Sequence, residues 1–179
     1  NATITAPLKG KSASAALTVT KGTITITDGF GRQVTITQPV EKIIIGAPQF
    51  AGVMKILKAE DKVVGINFMI AGKTAQPHPL SELPVIASGD TAYEGLNYEK
   101  IFELHPDVFV TMSAPATRSL FDEIVAKLEP EIPVIALDFS GLEALKDSVR
   151  KLGLVSNKEK EAEEFTLWYE SVMHPIAET

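Results

Sequence analysis

The stretch VFVTMSAPATRSLFDEIVAKLEPEIPVIAL, residues Val108 to Leu137, contains a complete strand–helix–strand unit. Val108-Phe109-Val110 and Val134-Ile135-Ala136-Leu137 are short, continuous apolar runs. Strands covered by helices on both faces read this way, because neither face meets water. Between them, Leu120, Phe121, Ile124, Val125 and Leu128 recur at helical spacing and place one apolar stripe on a helix. Room for three to four helical turns separates the two runs, the length that a crossover between parallel strands needs.

The same grammar extends upstream. Ile43-Ile44-Ile45, Val63-Val64-Gly65-Ile66 and Val85-Ile86 are further apolar runs, and Phe50, Val53, Met54 and Leu57 form a helical stripe between the first two. Asn97 to Leu104 reads as a shorter helix, capped by Asn97, with Ile101 and Leu104 facing inward. Before these comes a different pattern. Thr23-Ile24-Thr25-Ile26-Thr27 alternates strictly, Asp28-Gly29-Phe30-Gly31-Arg32 supplies turn residues, and Val34-Thr35-Ile36-Thr37 alternates again up to Pro39, which predicts a β-hairpin with one buried face. Downstream, Ser140-Gly141-Leu142-Glu143 and Ser156-Asn157-Lys158-Glu159 have capping-box spacing and predict two helix starts. The second opens a helix whose apolar stripe is Ala162, Phe165, Trp168, Tyr169 and Val172, with Pro175 expected to disrupt it. Residues Thr3 to Lys21, rich in Thr, Ala, Ser and Lys, read as a tail or linker with room for an edge strand. Ala71 to Pro84 is the one long irregular loop expected. The sum is an α/β, Rossmann-like, three-layer domain with about five mostly parallel strands, preceded by a β-hairpin.

Composition narrows the function. The chain has 179 residues and a net charge of −6, which argues against a nucleic-acid partner, since phosphate contacts need a basic surface. No apolar run approaches the roughly 20 residues of a membrane-spanning helix. There is no cysteine, which removes disulfides, zinc–thiolate sites and thiol nucleophiles. A first residue of Asn1 rather than Met is expected of a processed or excised polypeptide. Catalytic signatures are lacking: there is no phosphate loop with Lys and Ser or Thr, no G-x-G-x-x-G after the first strand, and no G-x-S-x-G elbow. His78, His105 and His174 each precede Pro and lack metal-ligand spacing, so neither a catalytic set nor a metal site is expected.

Binding residues are better represented. In open α/β sheets, ligands bind beyond the carboxyl ends of the strands. The residues following each run are Pro48, Gln49 and Phe50; Asn67, Phe68 and Met69; Ser88, Gly89, Asp90 and Tyr93; Met112, Ser113 and Pro115; and Asp138, Phe139 and Ser140. Such an aromatic, sulfur-bearing and small-polar rim suits a bulky, partly apolar organic ligand. The ligand-binding candidates are Pro48, Gln49, Phe50, Phe68, Met69, Tyr93, Met112, Ser113 and Phe139. The competing reading is that Phe50, Phe68 and Phe139 plug the end of the core.

These motifs resemble a known family. Thr25 to Ile36, followed by Pro39-Val40-Glu41-Lys42-Ile43-Ile44, is similar to the opening of the ABC-transporter substrate-binding proteins for iron–siderophore, haem and cobalamin. Leu57 to Gly65, Leu83-Pro84-Val85, Gly95 to Ile101 and Leu104-His105-Pro106-Asp107-Val108 resemble later family motifs in the same order, over roughly residues 23 to 170. His105 stands where the family usually has Lys, and residues 3–21 have no counterpart there. The resemblance implies a two-lobed, extracytoplasmic binding protein without a cofactor of its own, holding a small-molecule chelate in a cleft between lobes joined by one long helix. Its implied partners are ABC permease transmembrane subunits driven by an ATPase, with membrane association only through the transporter or a lost anchor. On that reading residues 1–22 are an extension or linker, 23–155 the N-terminal lobe, and 156–179 the start of the inter-lobe helix, so that the chain stops where a second lobe begins. Glu99 falls where the family places a carboxylate that docks on the permease, and Tyr93 where relatives carry a ligand-contacting aromatic. Two alternatives stay open: a receptor for free manganese or zinc, and an α/β enzyme subunit or one-lobed surface domain.

Overall fold

The computed structural model describes residues 2–8, 11–17, 22–71, 79–89 and 93–177. The chain runs β1 (Ala2–Leu8), β2 (Lys11–Leu17), β3 (Thr23–Thr27), β4 (Gln33–Thr37), β5 (Ile43–Ile45), α1 (Gln49–Ile56), β6 (Val63–Asn67), α2 (Phe68–Ala71) and β7 (Val85–Ala87). It continues through α3 (Tyr98–Glu103), β8 (Val108–Met112), α4 (Arg118–Leu128), β9 (Val134–Leu137), α5 (Leu142–Ser156) and α6 (Glu159–Ala177). β5 to β9 form one parallel sheet of five strands in the order β7-β6-β5-β8-β9. The expected strands and their parallel pairing are all present.

Period-two alternation divides the sheet's side chains between two cores. Ile43, Ile45, Val108, Val110, Ile135 and Leu137 face one side, where Phe50, Val53 and Met54 of α1, Val149 and Leu152 of α5, and Ala162 of α6 cover them. Ile44, Phe109, Val134 and Ala136 face the other, against Ile101 of α3 and Phe121, Ile124 and Leu128 of α4. The result is the three-layer arrangement that the continuous apolar runs required. Each fully buried Ile on these strands contributes on the order of 1.5–3 kcal/mol of transfer free energy.

Both edges of the sheet are covered. At β9, the β3–β4 turn donates the Gly29 N–H to the Ala136 carbonyl, and an Arg32 Nη donates to the Val134 carbonyl. At β7, the chain folds back so that Leu96 bridges Ala87 and the Asn97 N–H reaches the Ile86 carbonyl. Unpaired backbone groups that would template association are thereby occupied.

Residues 2–8 and 11–17, in the stretch read as a tail or linker with room for an edge strand, pair as an antiparallel two-stranded sheet with Ala2 opposite Leu17, which satisfies backbone groups strand to strand. Several other expectations are corrected. Neither capping box forms. Gly141, not Ser140, caps α5 with no side-chain bond, and the Ser140 N–H instead donates to Asp138 Oδ1 at 2.8 Å. Ser156 is the last residue of α5, its hydroxyl donating to the Leu152 carbonyl at 2.7 Å. Asn157 then takes a left-handed turn (φ 59°) and α6 begins at Glu159. The break lets α5 and α6 pack closely: a Cβ on Gly153 would lie 2.6 Å from Ala162 Cβ. α6 also runs through Pro175 to Ala177, since proline forfeits one backbone bond without ending a helix already several turns long. Its expected inward stripe is only partly inward: Ala162 is buried, but Trp168 is 58% and Val172 43% exposed. His78 and Asp90 lie outside the described residues, as does much of the loop after Ala71.

Candidate ligand-binding site

The strand order places a topological switch between β5 and β8: the chain leaves β5 toward β6 and later crosses back to β8. The end of the sheet at the switch itself is filled. The Gly46 N–H donates to the Val110 carbonyl at 2.8 Å, and Phe50 is completely buried, its ring edge-on to Phe139 with centroids 5.2 Å apart. The open space lies one strand over, beyond the carboxyl ends of β8 and β9. It is a groove of about 750 Å³, within the range of small-molecule sites.

Its floor is Met112 and Ser113 from the end of β8 and Asp138, Phe139 and Ser140 from the end of β9. One wall is Ala114, Pro115 and Arg118, the entry to α4, and the other is Gly29 and Phe30 from the β3–β4 turn. That turn is held by Asp28, whose Oδ1 accepts the N–H groups of Phe30 and Arg32, both at 2.9 Å. Phe30 packs against Phe121 at 4.7 Å between centroids, and Arg32 reaches across Phe121 to Glu129 at 2.7 Å. Gly29 is required by contact, since a Cβ there would fall 2.2 Å from Ser113 Oγ.

Of the residues expected at the rim, the structure brings Met112, Ser113, Pro115, Asp138, Phe139 and Ser140 together in the groove, and Met112, Ser113 and Phe139 among them are ligand-binding candidates. Phe50 belongs to the core and supports Phe139 from beneath, so the plugging alternative holds for that ring. Pro48 and Gln49, at the start of α1, and Phe68 and Met69, in α2, do not line the groove. Asn67 is fully buried and its Oδ1 caps the Met69 N–H at 2.9 Å, which explains the short helix that follows β6. Tyr93 is half-buried and does not line the groove. Its hydroxyl donates to the Met112 carbonyl, tying the β7–α3 loop to the groove floor. Burial raises the Tyr93 pKa, partly offset by the Thr117 and Thr111 hydroxyls, so the phenol stays a neutral donor at physiological pH.

The sequence reading passed over Gly29, Phe30, Ala114 and Arg118. Arg118 had a readable signal, because a helix that follows a parallel strand starts at that strand's carboxyl end. Phe30 had none, since its place in the groove depends on where the hairpin docks. Glu99 is exposed in the first turn of α3, behind the Asn97 cap, which accepts the Lys100 N–H at 2.9 Å as expected. Among the described residues no three His, Asp or Glu side chains converge as metal ligands. No described helix is long and apolar enough to cross a membrane.

Known proteins bear on this geometry. A family model described as periplasmic binding protein matches residues 43–178. No curated protein matches by sequence. Among solved structures, a periplasmic solute binding protein from Veillonella parvula superposes with a TM-score of 0.71 at 19% identity, over 88% of this chain and 48% of its own. The molybdate periplasmic binding protein MolA of Haemophilus influenzae gives 0.66 at 19% identity, covering 84% of this chain and 51% of its own. S. aureus IsdE, solved with haem, gives 0.63 at 19% identity, over 77% and 48%. At such identities the likeness is one of fold, and this chain spans about half the length of each. With the family model covering the sheet, its helices and the groove floor, the chain belongs to the periplasmic binding protein family.

Proposed function

We propose that this chain is the N-terminal lobe of the extracytoplasmic solute-binding component of an ABC importer. It binds a chelated iron compound (siderophore or haem) or a corrinoid and works by binding, not catalysis. The groove over β8 and β9 carries this reading: about 750 Å³, with Phe30, Met112 and Phe139 for apolar contact and a few polar groups among them. Relatives in fold include proteins solved with haem and with an acinetobactin–ferric iron complex, which supports the ligand class. On this reading α6 leads into the inter-lobe helix, and a second lobe closes over the groove. A lone lobe supplies part of the enclosing surface, so its own affinity is weak.

Calorimetric titration of the 179-residue chain with a ferric hydroxamate, a ferric catecholate, haem and cobalamin tests the assignment. Saturable binding of one class, weakened by Phe139→Ala, is expected. Binding of none of them, or binding indifferent to Phe139, would remove it.

A further inference from the structure

Among the described residues that line the groove, Arg118 is the one cationic side chain, and its surroundings hold the guanidinium in a defined pose. Both carboxylate oxygens of Asp122 accept from Nε, at 2.8 and 3.0 Å, while the guanidinium carbon sits 5.1 Å from the centre of the Phe30 ring. That ring also packs on Phe121, tilted by 40° with centroids 4.7 Å apart, and Arg32 lies over Phe121 in turn. Arg118, Phe30, Phe121 and Arg32 thus form a continuous cation–π stack from the groove to the base of α4. Phe30 lies before residue 43, outside the stretch that the family model matches.

The Nη atoms of Arg118 make no hydrogen bond among the described residues. A guanidinium anchored through Nε and one face leaves its Nη edge as a planar pair of donors, which fits two anionic oxygens. Asp122 offsets the charge only weakly, because the pair is about half exposed on both sides. The groove's carboxylate, Asp138, belongs to the floor, where its Oδ1 accepts the Ser140 N–H. Phe139 and Met112 supply apolar surface for the body of a guest.

We infer that Arg118 determines specificity in this groove: held by Phe30 and Asp122, it selects ligands that present paired anionic oxygens over neutral ligands of similar bulk. The inference rests on the receptor reading above and narrows it. Phenolate oxygens of a catecholate chelate, carboxylates of haem and the oxygens of an inorganic oxyanion share this chemistry, and the test separates them.

The 179-residue chain is titrated with a trianionic ferric tris-catecholate, haem, molybdate and a neutral ferric tris-hydroxamate, at low and at high salt. At least one anionic probe is expected to bind about tenfold or more tightly than the neutral one, with the advantage shrinking as salt rises. Arg118→Gln should remove that advantage, weakening the anionic probe about tenfold more than the neutral one, whereas a merely structural role would weaken every probe by the same factor. Arg118→Lys, keeping charge without the planar fork, should retain part of it, and the thermal midpoint of each variant checks that the fold is intact. An unchanged ratio of anionic to neutral affinity in Arg118→Gln, or tighter binding of the neutral probe by the wild type, would overturn the inference while leaving the receptor reading standing. Binding of no probe at millimolar concentration removes both.

Discussion

The Gly29 N–H donates to the Ala136 carbonyl at 2.6 Å, fastening the β3–β4 turn to the edge strand β9. Together with the Arg32 donation to the Val134 carbonyl, this bond joins an element outside the family-matched region to the sheet, and it puts Phe30 over the groove. The space is tight: a Cβ on Gly29 would meet Ser113 Oγ at 2.2 Å, Ser113 Cβ at 2.8 Å and the Ala136 carbonyl at 3.2 Å.

Gly29→Ala is therefore expected to push the turn off β9 and cost about 1–3 kcal/mol. Thermal denaturation should show a midpoint lower by roughly 2–10 °C. An unchanged midpoint would mean that the turn has slack which the geometry denies it.

Phe50 and Phe139 touch, yet they stand on opposite sides of the boundary between core and groove. Phe50→Ala opens a cavity beneath the sheet end and should cost about 3–5 kcal/mol, a shift on the order of 10 °C. Phe139, half-buried at the groove floor, should cost less when truncated. Equal losses at the two positions in parallel thermal melts would contradict the division.

Two cation–carboxylate rungs join α5 to α6. Lys146, only 6% exposed, donates to Glu170 at 2.7 Å, and Arg150 pairs with Glu163 at 2.9 Å. The hydrogen bond from Lys146 lowers the Glu170 pKa, the hydrogen bond from Arg150 lowers that of Glu163, and Lys146 itself is raised, first by Glu143 and then by Glu170. A carboxylate depressed in the folded state contributes stability that is fully present above its unfolded pKa of about 4.3. That contribution is lost as pH falls through the folded value. The stability difference between wild type and Glu170→Gln should thus be flat from neutral pH down to about 5 and vanish under stronger acid. At the alkaline end the raised Lys146 contributes below its unfolded pKa of about 10.4, and that part fades as pH rises past its folded value. Denaturant midpoints across pH check both limbs, and a difference that grows on acidification would refute the pairing.

Glu99 and Asn97 share the start of α3 and are expected to separate two kinds of effect. Asn97→Ala removes the cap on the Lys100 N–H and should cost about 1 kcal/mol of stability, read as a lower thermal midpoint. Glu99→Lys, at an exposed position, should leave the melting temperature nearly unchanged. On the proposed docking role it should depress uptake when the receptor works with its transporter. Uptake that tolerates the charge reversal would end that role for Glu99.

The strands, the helices and their layering were legible in the sequence because each is a local consequence of spacing. Ile43-Ile44-Ile45 has to be covered on both faces, whatever covers it, and a stripe such as Leu120, Phe121, Ile124 and Leu128 points to the covering helix. Six of the rim residues, Met112, Ser113, Pro115, Asp138, Phe139 and Ser140, were legible for the same reason, since they follow strand ends. Tertiary contact decided the rest. Phe50 also follows a strand end, but Phe139 and the Gly46–Val110 bond close over it. Phe30 looked like a turn residue until the Asp28-centred turn docked on β9 and made it a wall. Ser140 and Ser156 had cap spacing, but Asp138 and the Leu152 carbonyl offered nearer partners. Local propensity places a residue on an element; which element it meets depends on contacts between positions as distant as Arg32 and Glu129, and spacing within a segment carries no trace of those.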